Sequence, residues 1–306
     1  MGIISKIKKQ YNNGSIFELL FLGSIVYNPF FRKNGKKIKE DQRVFRSYQY
    51  LKKHYQGQIS KKDSYNLEHQ ESNRIWICWL QGEENAPLLV QKCIQSIREK
   101  NRGKNIVVLT YENISEFLVL PEFIMKKWEN GIISDAHFSD LIRLEVLINY
   151  GGTWMDATIF CTDKLPGFIE NSQLFVYQTS YFQDEEVAIV ASNWLISTVT
   201  TNNEILITTR KMLLKYWEEH NVLINYYVFH IFFTIATQIH NEQWSKVPKK
   251  GNIDPHFLQF ELNNPYDSEK YEQLKELSPL HKLTYKGLNS NDDDTFYNVL
   301  FTKERN

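Results

Sequence analysis

Cysteine is scarce in this sequence. The three residues present among 306, Cys78, Cys93 and Cys161, sit in apolar or strand-like contexts and lack the spacing of a metal site. A disulfide framework is not expected, and the thiols read as small buried hydrophobes of a reducing compartment. Long apolar runs are lacking too. Ser15 to Phe31 is interrupted by Glu18 and Asn28, and Tyr226 to Ile239 is short and polar at its ends, so neither reads as a bilayer span. No small-residue cleavage site follows a clean apolar core near Met1, so no signal peptide is expected. Net charge is zero, with 36 Lys and Arg against 36 Asp and Glu. No recognised nucleic-acid motif accompanies the basic residues, which argues against nucleic acid as a partner.

The zero balance hides an uneven distribution. Residues 1–62 hold fourteen Lys or Arg and only three acids, Glu18, Glu40 and Asp41. That segment therefore carries eleven uncompensated positive charges, and the rest of the chain carries the compensating negative excess. Ile16, Phe17, Leu19, Leu20, Phe21, Phe30 and Phe31 are interleaved with the basic residues. The pattern predicts a helical, basic region over 1–70. It either rests on an anionic membrane surface or packs on the rest of the chain with its lysines facing water. Residues 71–306 are enough for a full α/β core.

Along that second part, Arg74 to Gly82 (RIWICWLQG) reads as a buried strand running into a turn, with Trp76 in the core. Pro87 to Lys100 has helical spacing through Leu88, Val90, Ile94 and Ile97, and Asn105 to Thr110 is a short apolar run typical of a central parallel strand. The order predicts a βαβ unit. Tyr111 follows its second strand and either reaches a ligand or packs. Further helices are predicted over 117–131, 203–219 and 226–239, and further strands over 174–178 and 187–198. His230 lies inside the apolar stretch Tyr226 to Ile239, where a hydrogen-bonded core histidine is the ordinary reading. Asp292, Asp293 and Asp294 read as a solvated loop, and residues 299–306 as a charged tail.

The organising stretch is Ser139 to Phe160, SDLIRLEVLINYGGTWMDATIF. Asp140 and Arg143 are three apart on a predicted helix and so are neighbours on one face. Leu141, Leu144, Leu147 and Ile148 give that helix its apolar side, with Ser134 or Asp135 as N-cap. Gly151 and Gly152 end it, since glycine takes positive φ freely. Thr153 to Phe160 then alternates as one strand, with Trp154, Asp156, Thr158 and Phe160 on one side. A carboxylate in such a strand is costly to bury unless it sits at the strand end facing a metal or ligand. Taken alone, the Asp140–Arg143 pair also admits a plain surface salt bridge.

This stretch resembles the signature of the metal-dependent, retaining sugar transferases of glycosyltransferase family 32 and of the clostridial glucosylating toxins. That signature is a helix with Asp and Arg, a tyrosine with two glycines, and a DXD sugar-binding strand. WMDAT is most similar to the bacterial capsular polysaccharide synthesis branch, of the streptococcal galactosyl- or glucosyltransferase type, and the likeness runs loosely from Arg74 to Lys286. It departs at Thr158, which stands where DXD has its second acid. The resemblance implies an α/β fold of the GT-A type, a nucleotide-sugar transferase with a Rossmann-like mixed sheet, here with a helical basic N-terminal region. It implies that Asp140 and Arg143 hold hydroxyls of the donor sugar, and that Asp156, with Thr158, holds Mn²⁺ (or Mg²⁺) on the nucleotide diphosphate. Trp79 would stack on the uracil, followed by Gln81; Tyr111 would lie near the nucleotide. Asn193, followed by Trp194, would sit near the anomeric carbon. His281 would be a third metal ligand, and Lys282 or Lys286 would neutralise the leaving phosphate. Tyr227 and His230 would lie towards the acceptor.

The activity implied by the resemblance is transfer of a hexose from UDP-galactose or UDP-glucose to a polyprenyl-diphosphate-linked sugar, in capsular repeat-unit synthesis. Catalysis would rest on Asp140, Arg143, Asn193 and Lys282, with retention by same-face attack, since no carboxylate stands out as a nucleophile beside Asn193. The protein would be cytoplasmic and peripheral on the inner face of the membrane. Two rival readings share the motif: an effector that glycosylates protein, and a sugar-nucleotide-binding protein without catalysis.

Overall fold

A computed structural model describes residues 15–26, 36–58, 70–179, 186–288 and 293–303. Its centre is a mixed five-stranded sheet in the order β2-β1-β3-β6-β5. Strand β1 (Arg74–Cys78) lies parallel to β2 (Asn105–Leu109) from Arg74↔Asn105 to Cys78↔Leu109, and parallel to β3 (Gly152–Met155). Strand β6 (Ala191–Thr198) runs antiparallel to β3 and to β5 (Phe175–Gln178). A second sheet pairs β4 (Ile159–Cys161) antiparallel with β7 (Leu280–Lys282). The main helices are α1 (Ile16–Val26), α2 (Lys36–Tyr55), α3 (Leu88–Lys100), α4 (Glu122–Glu129), α5 (Asp135–Tyr150), α6 (Glu204–Glu219), α7 (Val228–Ile239) and α8 (Ser268–Leu277).

Strand alternation sorts the side chains into two cores. Ile75, Ile77 and Met155 face α3, where Val90, Ile94 and Ile97 complete one cluster. Trp76 and Trp154 face the opposite layer, built from α5, α6 and α7 with Leu144, Met212 and Phe232. The basic N-terminal helices join this second layer. Leu22, Val26, Tyr48, Leu51 and Tyr55 are buried in it, and the Tyr55 hydroxyl donates to Glu219 at 2.7 Å. The expected boundary near residue 70 falls at the end of a stretch, 59–69, outside the described residues.

Local chemistry explains several boundaries. Ser134 caps α5 by accepting from the His137 N–H, and Asn203 caps α6 by accepting from Ile205 and Leu206. Pro121 occupies the N-cap of α4, so the helix expected over 117–131 starts only at Glu122. Gly152 has φ +94°, and a Cβ there would meet the Arg74 carbonyl oxygen at 2.5 Å. Glycine is what lets the chain leave α5 and pair at once with β1. The cysteines are free: Cys93 and Cys161 are buried and Cys78 is half-buried, and burial pushes the Cys78 and Cys161 thiols up to about 12.

Three expectations need correction. Residues 153–160 are not one strand: β3 ends at Met155, the Asp156 N–H donates to the Trp194 carbonyl, and a turn closes from Ile159 N–H to the Asp156 carbonyl at 3.0 Å. The chain then enters the second sheet. The helix expected from Tyr226 begins at Val228, leaving Tyr226 and Tyr227 exposed ahead of it. Residues 299–303 are not a free tail, because Phe301 is fully buried with its ring 5.0 Å from Phe160. Asp292 and residues 304–306 lie outside the described residues.

Candidate active site

The carboxyl ends of β1 and β3 open, with the start of α5, onto a pocket of about 670 Å³. That is the size range of a small-molecule site, at the sheet edge where α/β folds bind ligands. Strand β1 supplies Trp79 and Gln81 just beyond its end, α5 supplies Asp140 and Arg143, and the turn after β3 supplies Asp156 and Thr158. Strand β6 adds Asn193, β7 adds Lys282, and the approach to α7 adds Tyr226, Tyr227 and His230.

Arg143 is the hub. Its Nη1 lies 2.9 Å from Asp140 Oδ1 and its Nη2 3.4 Å from Asp156 Oδ1, and its guanidinium sits over the Trp154 ring at 4.9 Å. The Nη1 contact is close but poorly directed, so both Nε and Nη1 lack a well-aligned acceptor. Asp140 Oδ1 also accepts from Asn193 Nδ2 at 2.9 Å. Asp140 thus stands beside Asn193, but Arg143 and Asn193 already engage it, which leaves it a poor nucleophile.

Asp156 is held from three sides. Trp154 Nε1 donates to Oδ1 at 3.0 Å, Lys282 Nζ lies 3.0 Å from Oδ2, and Arg143 approaches Oδ1. Burial pushes this carboxyl up, but Lys282 and Arg143 outweigh burial and hold it below the usual range. Lys282 Nζ donates to Thr158 Oγ1 as well. The Asp156 and Thr158 oxygens therefore converge on one cation. Among the described residues of the wall, Asp135, Asp140 and Asp156 face Arg143 and Lys282 as permanent cations, a slightly negative balance for an incoming anion. A divalent cation, if held by Asp156 and Thr158, would invert that balance. Magnesium-type ions are commonly held by one or two carboxylates plus substrate phosphates, and the pair fits such a role. Among the described residues no group of three His, Cys, Asp or Glu forms a self-sufficient metal cage.

His281 is not part of this set. Alternation along β7 turns it away from Lys282, into the core, where Nε2 lies 3.4 Å from Thr162 Oγ1. Burial pushes its pKa down to about 4. It is corrected from metal ligand to buried support. Lys286 and Tyr111 also lie outside the pocket wall. Lys286 Nζ sits 5.9 Å over the Tyr285 ring, and the Tyr111 hydroxyl accepts from Gln81 Nε2 at 3.4 Å beside Trp128. Trp194 touches the pocket but works as packing: its Nε1 donates to Asn252 Oδ1 at 2.7 Å and its ring stacks on Tyr177.

The pocket also holds groups to which the sequence alone assigns no role, His137 among them because a lone histidine near Asp140 is weak evidence by itself. His137 lies 3.5 Å from Asp140 Oδ2, one helical turn before it, and its ring is 5.3 Å from Tyr226. The i,i+3 spacing to Asp140 was the available signal. Tyr285 meets Trp79 edge to face at 5.7 Å. The buried nitrogens Trp79 Nε1, His137 Nδ1 and His230 Nδ1 have no hydrogen-bond partner, like Arg143 Nε. Burial, more than the neighbouring charges, lowers the His230 pKa to about 4, so this imidazole is neutral at pH 7. A wall of buried groups without partners is what a polyhydroxylated or phosphorylated ligand would complete.

Comparison with known proteins places the chain. A stretch of 158 residues is 26% identical to the glycosyltransferase afumC of Aspergillus fumigatus, covering 49% of this chain and 39% of that protein. The match thus spans well under half the length of that relative. Among solved structures, the PaToxG glycosyltransferase superposes with a TM-score of 0.39 at 14% identity, covering 79% of this chain and 95% of that one. A transferase mutant superposes with a TM-score of 0.33 at 12% identity, over 60% and 91%. Residues 26–300 match the family described as capsular polysaccharide synthesis protein, nearly the whole chain, and the protein belongs to that family.

Proposed function

We propose that the protein is a glycosyltransferase of GT-A type that moves a hexose from UDP-galactose or UDP-glucose to a lipid-linked saccharide in capsular polysaccharide synthesis. The observation that carries this reading is the Asp140–Arg143–Asp156–Lys282 cluster at the strand ends, among buried nitrogens without hydrogen-bond partners. Arg143, braced by two carboxylates, presents its unused N–H groups to sugar hydroxyls, and Asp140 accepts from them. Trp79 offers a ring to the base, and Asn193 an amide beside the reacting carbon. Mn²⁺ or Mg²⁺ held by Asp156 and Thr158 would supply positive charge at the diphosphate. Lys282 lies within reach to follow that charge onto the leaving group.

In the transfer, the bond from the anomeric carbon to the phosphate oxygen breaks and its electron pair stays on that oxygen. The acceptor hydroxyl oxygen bonds to the carbon on the same face, and the hydroxyl proton passes to the departing phosphate. Configuration is retained without a covalent intermediate on Asp140. Neutral His230, with Tyr227, lines the acceptor side and offers hydrogen bonds without placing a positive charge next to a cation-like carbon.

The reading is tested by assaying transfer and donor hydrolysis with each UDP-hexose. Asp156→Ala is expected to lose at least about 100-fold in transfer while its thermal midpoint stays near wild type; near-normal turnover would overturn the assignment. A second reading, a sugar-nucleotide-binding protein without catalysis, is favoured by Thr158 in place of a second acid. UDP binding without hydrolysis or transfer would decide for it.

A further inference from the structure

Helix α1 carries one ionisable side chain, Glu18, and turns it inward. Glu18 Oε1 lies 2.8 Å from His220 Nδ1, and the carboxylate accepts from the Asn221 N–H at 3.2 Å. Leu22 and Val26 are buried on the same side. The outward face is apolar: Phe17 is 82% exposed, Leu20 64% and Phe21 59%. Their i, i+3, i+4 spacing makes one continuous stripe on the helix. Folded monomers seldom leave such a stripe to water without a use for it. Eleven residues of helix extend only about 16 Å, roughly half a hydrocarbon core, and no described helix is long and apolar enough to cross a membrane. At that length the described helix can lie along a surface but not span one.

We propose that the Phe17–Leu20–Phe21 face of α1 is a foot that lies on an anionic lipid surface and sets the pocket mouth against it. Charge selects lipid over a protein partner. The first 62 residues hold fourteen basic side chains against three acids, and one of those acids is the inward Glu18. Arg43 and Lys53 on α2 are exposed. The link to the pocket is covalent and short. The Glu18 clamp grips the start of the loop between α6 and α7, Asn225 Nδ2 ties the same loop to Ser47 Oγ of α2 at 3.3 Å, and the next residues are Tyr226 and Tyr227 in the pocket wall. Tyr226 is 62% exposed, and tyrosine is the residue type that settles at a lipid–water boundary. The foot rests on the proposal that the acceptor is lipid-linked: its sugar then enters past Tyr226 and Tyr227 while its tail stays in the membrane.

The test is sedimentation of the full chain with phosphatidylcholine vesicles made with or without phosphatidylglycerol, in low and high salt. Wild type is expected to bind the anionic vesicles at low salt and to be released by high salt. The triple variant Phe17→Ser, Leu20→Ser, Phe21→Ser is expected to bind about tenfold more weakly or worse, with unchanged thermal midpoint and unchanged hydrolysis of a water-soluble donor. Equal binding by the variant, or no binding by wild type to either vesicle, overturns the foot. So does a wild-type dimer in free solution that the variant abolishes, since the stripe would then be a protein interface. Vesicle binding needs no sugar transfer. A protein that binds vesicles but turns over no donor keeps the foot and loses the transferase reading.

Discussion

Lys282→Met is the most informative single change. The ammonium stands 3.0 Å from Asp156 Oδ2 and donates to Thr158, the two oxygens proposed to hold a metal. A divalent ion on Asp156 would lie about 4 Å from that ammonium, where a +2/+1 pair repels by about 2 kcal/mol even with the dielectric of water. The side chains are only 20% and 26% exposed, so water gives the lower bound. Methionine keeps the stem and removes the charge. The variant is therefore expected to bind Mn²⁺ without nucleotide about 30-fold more tightly than wild type, read by electron paramagnetic resonance of free against bound ion. Transfer is expected to fall all the same, because the leaving phosphate loses its cation. The fold should weaken by only about 1 kcal/mol, since Arg143 and Trp154 still serve Asp156. Mn²⁺ affinity that is unchanged or weaker in Lys282→Met would refute the claim that ammonium and metal share one place.

Two further outcomes rest on the same geometry. Trp79→Ala is expected to weaken UDP binding by about 1–3 kcal/mol in calorimetry, because a stacking platform for the base is lost; unchanged affinity would assign the ring to packing against Tyr285. His281 and His230 are each lowered to about 4 by burial, against an ordinary value of 6.5. An unfolded chain binds those protons first, so the stability they carry is complete above pH 6.5 and is lost as pH falls towards 4. Each imidazole contributes up to roughly 3 kcal/mol of that loss. Thermal midpoints of His281→Met should fall less between pH 7 and pH 4.5 than those of wild type, and parallel curves would count against the buried, neutral state.

The features legible in sequence were those whose cause is local. The i,i+3 pair Asp140–Arg143 follows from helical spacing alone, as do the Ser134 cap, the paired glycines and the βαβ order from Arg74 to Leu109. Cys93 and Cys161 are buried as their apolar contexts predict, whereas Cys78, also free, is half-buried at the pocket wall. Tertiary structure decided what depended on distant partners. Strand β3 stops at Met155 because β6 offers Asp156 its last rung through Trp194, and β4 continues only because β7, more than 100 residues later, pairs with it. That pairing alone fixes which of two neighbours meets the pocket: Lys282 faces Asp156, while His281, one residue away, is turned into the core. Asn193 reaching Asp140, and Glu18 gripping the loop that leads to Tyr226, likewise span 53 and 202 residues. Spacing along a chain carries the period of a helix or strand, but not the register with which remote elements meet.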